Sequence, residues 1–170
     1  MKMTAGENEQ LANIISMVNR LKKFFDSSSI DKADNVRQIY TYINEIKNIQ
    51  GNLSSAISYV SCLMAKEYLL ENYNISNIDV SIKSQSANGL DIDEKLNDGK
   101  RIIAEIKTIF PYEDNDFGAK QKESFRSDFK KLNGTPADYK ILFVTESKTF
   151  QILNRKYLSE LKNVKIVLLK

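Results

Sequence analysis

With 170 residues, 42% hydrophobic content and a net charge of +3, the chain can bury one good core and is too short for two large domains. The absence of histidine excludes imidazole-dependent nucleases, Ser-His-Asp hydrolases and His-bearing zinc sites, while the single cysteine, Cys62, excludes an intrachain disulfide or multi-cysteine metal site. There is no Gly-x-x-x-x-Gly-Lys-Ser/Thr loop, no export signal and no run near the roughly 20 apolar residues that span a bilayer, so no membrane association is expected and a reducing cytoplasm is the expected location.

In chain order, residues 1–50 read as a helical extension. Leu11, Ile14, Val18, Leu21 and Phe25 recur at alternating three- and four-residue steps, and Val36, Ile39, Ile43 and Ile46 do the same. Ser27-Ser28-Ser29 and Asp31 supply a break and a cap between the two helices. Such seams suit a helical hairpin, with dimerisation as a second use.

Residues 51–170 read as an α/β core. A helix is expected from Leu53 to Asn72, with an apolar stripe of Leu53, Ile57, Val60 and Met64. Glu67 falls on the same stripe, about 20° from Val60 at 3.6 residues per turn; a carboxylate there either has a function or marks the point where the helix end leaves the core and the side chain is solvated. A strand is expected from Ile78 to Lys83. Next comes a hairpin: Leu90 to Leu96, a turn at Asn97-Asp98-Gly99, and a strand from Arg101 to Phe110, rich in isoleucine and free of glycine and proline.

Pro111 to Gly118 is polar, acidic and bounded by Pro and Gly, which marks a loop. A helix from Ala119 to Leu132 sets Lys122, Arg126 and Lys130 on one line and Phe125 and Phe129 on an adjacent one, so the aromatic line packs and the basic line faces a phosphate backbone or solvent. A strand from Tyr139 to Thr145, a helix from Thr149 to Leu161 and a strand from Val164 to Leu169 complete the chain.

The chemistry concentrates in the hairpin. Side chains at i and i+2 share a face of a strand, so Glu105 and Lys107 emerge side by side while Ala104 and Ile106 turn the other way. Pairing about the turn puts Asp91 roughly across from Glu105 to Lys107; Asp93 shares its face and is the rival. Asp91 is favoured because it follows Gly89-Leu90, where the backbone can splay and aim a carboxylate into a cleft. Two carboxylates suit hard divalent cations, and a nearby lysine can position or deprotonate an attacking water. An alternating Glu-x-Lys on a solvated strand face is also ordinary in an antiparallel sheet.

The residues Gly89-Leu90-Asp91-Ile92 and Ala104-Glu105-Ile106-Lys107-Thr108 resemble the signature of the PD-(D/E)XK nuclease superfamily, which includes many type II restriction endonucleases, junction resolvases and repair exonucleases. Leu90 stands where the name-giving proline would be. The resemblance covers roughly residues 51–170, through the order helix, three strands, helix, strand. It implies a restriction-endonuclease-like core, a mixed central sheet flanked by helices, with the N-terminal helical extension attached.

For the site, the resemblance implies that Asp91 and Glu105 bind Mg²⁺, with Mn²⁺ as a substitute, and that Lys107 assists the nucleophilic water. Glu67 matches a helix-borne acid used by some members. Gln121 and Phe125 approximate a Gln-x-x-x-Tyr pattern of part of the family, which adds Gln121 to Lys122, Arg126 and Lys130 as expected DNA contacts.

Charge is distributed in keeping with a polyanionic partner. Residues 100–170 hold 15 Lys/Arg against 9 Asp/Glu, a net +6, and residues 1–99 hold 10 against 13, a net −3. The expected function is metal-dependent cleavage of double-stranded DNA by a type II restriction endonuclease. A repair or Holliday-junction nuclease of the same superfamily and a non-catalytic nucleic-acid-binding or assembly module are the alternatives. One active site cuts one strand, so double-strand cleavage favours a two-fold homodimer.

Overall fold

The computed structural model describes residues 1–30, 35–81 and 89–170. Residues Lys2–Ala56 form one compact unit, and Ile57–Lys170, with Met1, form the other. Among the described residues no helix is long and apolar enough to cross a membrane.

In the first unit, helix α1 (Ala5–Ser27) starts at a capping box in which the Glu7 amide donates to Thr4 Oγ1 and the Thr4 amide donates to the Glu7 carboxylate. Helix α2 (Val36–Gln50) is capped by Asn35, whose Oδ1 accepts from the Gln38 amide at 3.1 Å. The expected cap at Asp31 lies outside the described residues. The two helices meet through Phe24 and Tyr42, with ring centroids 4.9 Å apart, and through Arg20, which donates to the Ile49 carbonyl. The packed line of α1 therefore passes through Phe24, while Val18 and Phe25 of the expected seam are exposed.

Helix α3 (Leu53–Asn72) has the bounds its sequence suggests, but Leu53 and Ile57 are exposed. Its contribution to the sheet core comes from Ala65 and Leu69. No strand forms over residues 78–81. Asp79 instead captures the Ser81 amide at 2.9 Å in a side-chain turn, a local bond that competes with a sheet ladder. Residues 82 and 83 of the expected strand lie outside the described part.

Four strands make a mixed sheet in the order β1-β2-β3-β4, with β1 (Ile92–Lys95) antiparallel to β2 (Arg101–Lys107), and β3 (Tyr139–Val144) and β4 (Val164–Leu168) parallel to their neighbours. The β1–β2 turn is the one expected. Leu96 and Lys100 close it, and Gly99 at φ 85° takes the left-handed position that a three-residue hairpin loop needs.

Side chains alternate across β2 and divide the core into two layers. Ile102 and Ala104 pack with Ala65, Leu69, Ile141 and Phe143 on one face. Ile103 packs on the other with Leu142, Val144 and the inner side of helix α4 (Ala119–Gly134), through Phe125, Phe129 and Leu132. Both faces of β2 and β3 are covered, which explains their nearly unbroken apolar runs. The helix expected over 149–161 is instead three short pieces: an α-helix, α5 (Ser147–Ile152), a π turn (Leu153–Tyr157) and a 3₁₀ turn (Leu158–Glu160). The wider π turn lets both Leu153 and Tyr157 reach the core.

Candidate functional site

The register Ile92↔Ala104, continued one step beyond β1, sets Asp91 opposite Glu105. Gly89 adopts φ 106° and Leu90 is buried in the α4-side layer, so the chain enters β1 with Asp91 turned along β2. There Asp91 Oδ2 accepts the main-chain N–H of Ile106 at 2.7 Å. Asp93, the rival acid, forms a two-pronged ion pair with Arg101, at 2.8 and 2.7 Å, nearer the turn.

Glu105 is 3% exposed on the α4 side of β2, in line with Ile103 and Lys107. Burial, reinforced by the negative charge of neighbouring Asp91, pushes its carboxyl up to about 8, while a hydrogen bond from Lys131 pulls the other way. Lys131 Nζ is 2.9 Å from Glu105 Oε1, 3.1 Å from the Gly89 carbonyl and 3.4 Å from Asp128 Oδ1. Burial disfavours the Lys131 ammonium, but the two carboxylates outweigh it and raise its pKa.

Lys107 points to the same side. Its Nζ donates to Ser124 Oγ at 2.8 Å and forms a 2.6 Å ion pair with Asp128 Oδ2. That oxygen is buried, and the charge it faces is the Lys107 ammonium. A continuous line of alternating charge, Lys107, Asp128, Lys131, Glu105, thus runs between β2 and α4, with Asp91 at its end.

Asp128, Lys131 and Ser124 did not emerge from the sequence reading. The signal was present: Gln121, Phe125, Asp128 and Leu132 follow each other at four- and three-residue steps, and all four are buried. An acid on the inward stripe of a helix is the same kind of signal that Glu67 gives on the apolar stripe of α3.

Glu67 itself is not part of this cluster. It is exposed, and α3 packs on the Ile102 and Ala104 face of β2, so the sheet separates it from Glu105 and Lys107. Gln121 is also corrected. At 7% exposure it is not presented to a nucleic acid; its amide donates to the Phe110 carbonyl and accepts from the Gly118 and Tyr112 amides, which fixes the loop before α4.

The basic line of α4 does face outward. Lys130 is exposed, Arg126 lies 3.5 Å from Glu160, and Lys122 is 3.0 Å from Asp116. The loop itself is tied down by Asp116, which accepts from the Tyr157 hydroxyl at 2.7 Å and pairs with Lys156, and by Arg155, which donates to the Asn115 carbonyl.

Among the described residues no group of three or more Asp, Glu, Cys or His is arranged to hold a metal. Two adjacent carboxylates, Asp91 and Glu105, are nevertheless a donor set that fits a hard dication keeping water or phosphate oxygens in its other positions, and does not fit a closed four-ligand site. The upward push on Glu105 from Asp91 is the repulsion that a shared dication would relieve.

Comparison with protein families, curated proteins and solved structures finds no match to this chain.

Proposed function

We propose that the chain is a metal-dependent DNA endonuclease of the PD-(D/E)XK type, built on a restriction-endonuclease-like core and acting on double-stranded DNA as a type II restriction enzyme. The observation that carries this reading is the convergence of Asp91 and Glu105 across the β1–β2 pair, with Lys107 on the same face of β2. The order of α3, hairpin, α4 and β3 agrees with the family core, apart from the strand before the hairpin, which does not form over residues 78–81.

Asp91 and Glu105 would hold Mg²⁺ or Mn²⁺, which supplies Lewis acidity toward the phosphate and a lowered pKa for its water. The main-chain bond from Ile106 holds Asp91, and Glu105 is buried between sheet and helix with Lys131 at 2.9 Å. Lys107 orients the attacking water and stabilises negative charge as it develops on the phosphoryl oxygens. Lys130, and Arg126 and Lys122 once exchanged from their carboxylate partners, meet the phosphate backbone along α4.

The test is incubation of the purified chain with duplex, branched and single-stranded DNA, with Mg²⁺, with Mn²⁺ and with chelator. Metal-dependent cuts at one short duplex sequence are expected, and Lys107→Ala should abolish them while the chain, destabilised by the loss of the Asp128 ion pair, still folds and binds DNA. Cuts confined to junctions would instead assign a resolvase. Binding with no cleavage in either metal would overturn the enzymatic reading.

A further inference from the structure

We propose that Asp128 is a positioning residue that, with Ser124, clamps the Lys107 ammonium in its working place; the catalytic consequence rests on the nuclease reading above, but the clamp does not. A lysine ammonium on a four-carbon stem is a mobile point charge, and beside two carboxylates it would swing toward either. Two contacts from one helix hold it: a 2.6 Å approach to Asp128 Oδ2 and a 2.8 Å hydrogen bond to Ser124 Oγ. Ser124 and Asp128 are one helical turn apart on α4, so a rigid element sets the spacing.

Core packing alone gives no reason for the acid. Asp128 is 4% exposed beside Phe125, Phe129 and Leu132, where an apolar residue would avoid the desolvation of a carboxylate. Its Oδ2 is buried and lies 2.6 Å from the Lys107 ammonium. Desolvating that carboxylate has a cost, which its pairing with Lys107 and Lys131 offsets, and the feature it secures is the location of the Lys107 charge. Through Oδ1 the same carboxylate reaches Lys131, which donates to Glu105, so both charged residues of the β2 motif are referred to a single point on α4.

The experiment compares wild type with Asp128→Asn, Asp128→Leu, Asp128→Glu and Ser124→Ala on two readouts. One is steady-state cleavage of duplex DNA with Mg²⁺; the other is the rate at which an amine-acylating reagent labels Lys107, followed by peptide mass spectrometry without metal or DNA. Asp128→Asn and Asp128→Leu should lower kcat by about 10- to 100-fold with KM within about twofold, as expected when positioning of a catalytic group is lost. Both should label Lys107 at least about fivefold faster than wild type. Asp128→Glu should recover most of both, and Ser124→Ala should fall between. Asp128→Leu must keep the circular dichroism and melting behaviour of a folded chain.

Unchanged labelling in Asp128→Asn and Asp128→Leu overturns the clamp, whatever happens to kcat. Faster labelling with unchanged kcat overturns its catalytic role, as does an Asp128→Glu variant no better than Asp128→Leu. If wild type shows no cleavage but Asp128→Asn exposes Lys107 to acylation, the clamp stands and the nuclease reading falls.

Discussion

Asp91 Oδ2 accepts the amide of Ile106 at 2.7 Å, so the first acid of the site is bonded to the main chain of β2 at the residue between Glu105 and Lys107. Charge and tether are separable by substitution. Asp91→Asn keeps a carbonyl oxygen that can accept the same N–H, and should lower metal-dependent cleavage by at least about 10³-fold with a melting temperature within about 2 °C of wild type. Asp93→Asn should leave cleavage within about threefold, since its partner is Arg101, at the turn end of the hairpin and away from Glu105. Parallel loss in both variants would show that the acids had been assigned to the wrong strand position.

The same hairpin shows what was legible in the sequence. Alternation, the absence of glycine and proline in 101–107 and an Asn-Asp-Gly turn all act within a dozen residues, so strand, turn and approximate register could be read directly. Asp128 was missed because its meaning depends on packing against β2, more than 20 positions upstream in sequence, and the basic line of Lys122, Arg126 and Lys130 drew the reading of α4 toward its outer face. Glu67 failed for the complementary reason: periodicity gives a face of α3, not which face of the sheet that helix covers. The breakdown of 147–160 into α, π and 3₁₀ pieces reflects the reach needed by Leu153 and Tyr157, a tertiary demand that propensity does not encode.

Lys131 couples Glu105 to Asp128, and its removal should be felt in stability. Lys131→Met leaves the nearly buried Glu105 beside Asp91 without its nearest cation. A fully buried pair broken this way costs about 3–5 kcal/mol; with the Lys131 side chain 39% exposed, solvent screens the pair, and about 1–2 kcal/mol is the expected loss in urea denaturation at about pH 9, where a Glu105 carboxyl pushed up to about 8 is ionised. Adding Glu105→Gln in the same chain should recover most of that loss, because the uncompensated charge disappears. No recovery would mean that Lys131 acts through its stem packing and not through Glu105.

Asp116 gives the loop before α4 a pH dependence. The Tyr157 hydroxyl, outweighing partial burial, together with the Phe117 amide, Lys122 and Lys156, holds its carboxyl well below the usual carboxylate range, while burial, helped by the same bond, raises Tyr157 to about 12. A folded-state pKa below the unfolded value contributes stability that is present above about pH 4 and lost as pH falls through the lower value. Asp116→Asn should therefore melt about 2–4 °C lower than wild type at pH 7, with the gap closing below about pH 4. A gap constant from pH 7 to pH 3 would place the effect in packing instead.

The outer line of α4 separates an electrostatic contact from a structural one on the same helix. Lys130 is exposed, so Lys130→Ala should weaken DNA binding about equally across sequences and reduce the slope of log K against log salt by about one. Gln121→Ala should leave that slope unchanged, because the residue is buried and its amide is committed to Phe110, Tyr112 and Gly118. Its cost should appear as a lower melting temperature and faster proteolysis within 110–118, where backbone groups lose their partners. Fluorescence anisotropy across 50–200 mM salt distinguishes the two. A reduced slope in Gln121→Ala would mean that the loop it secures, rather than the helix face, carries the phosphate contacts, and the DNA path would then have to be drawn over Tyr112 and Lys148 instead of along Lys122, Arg126 and Lys130.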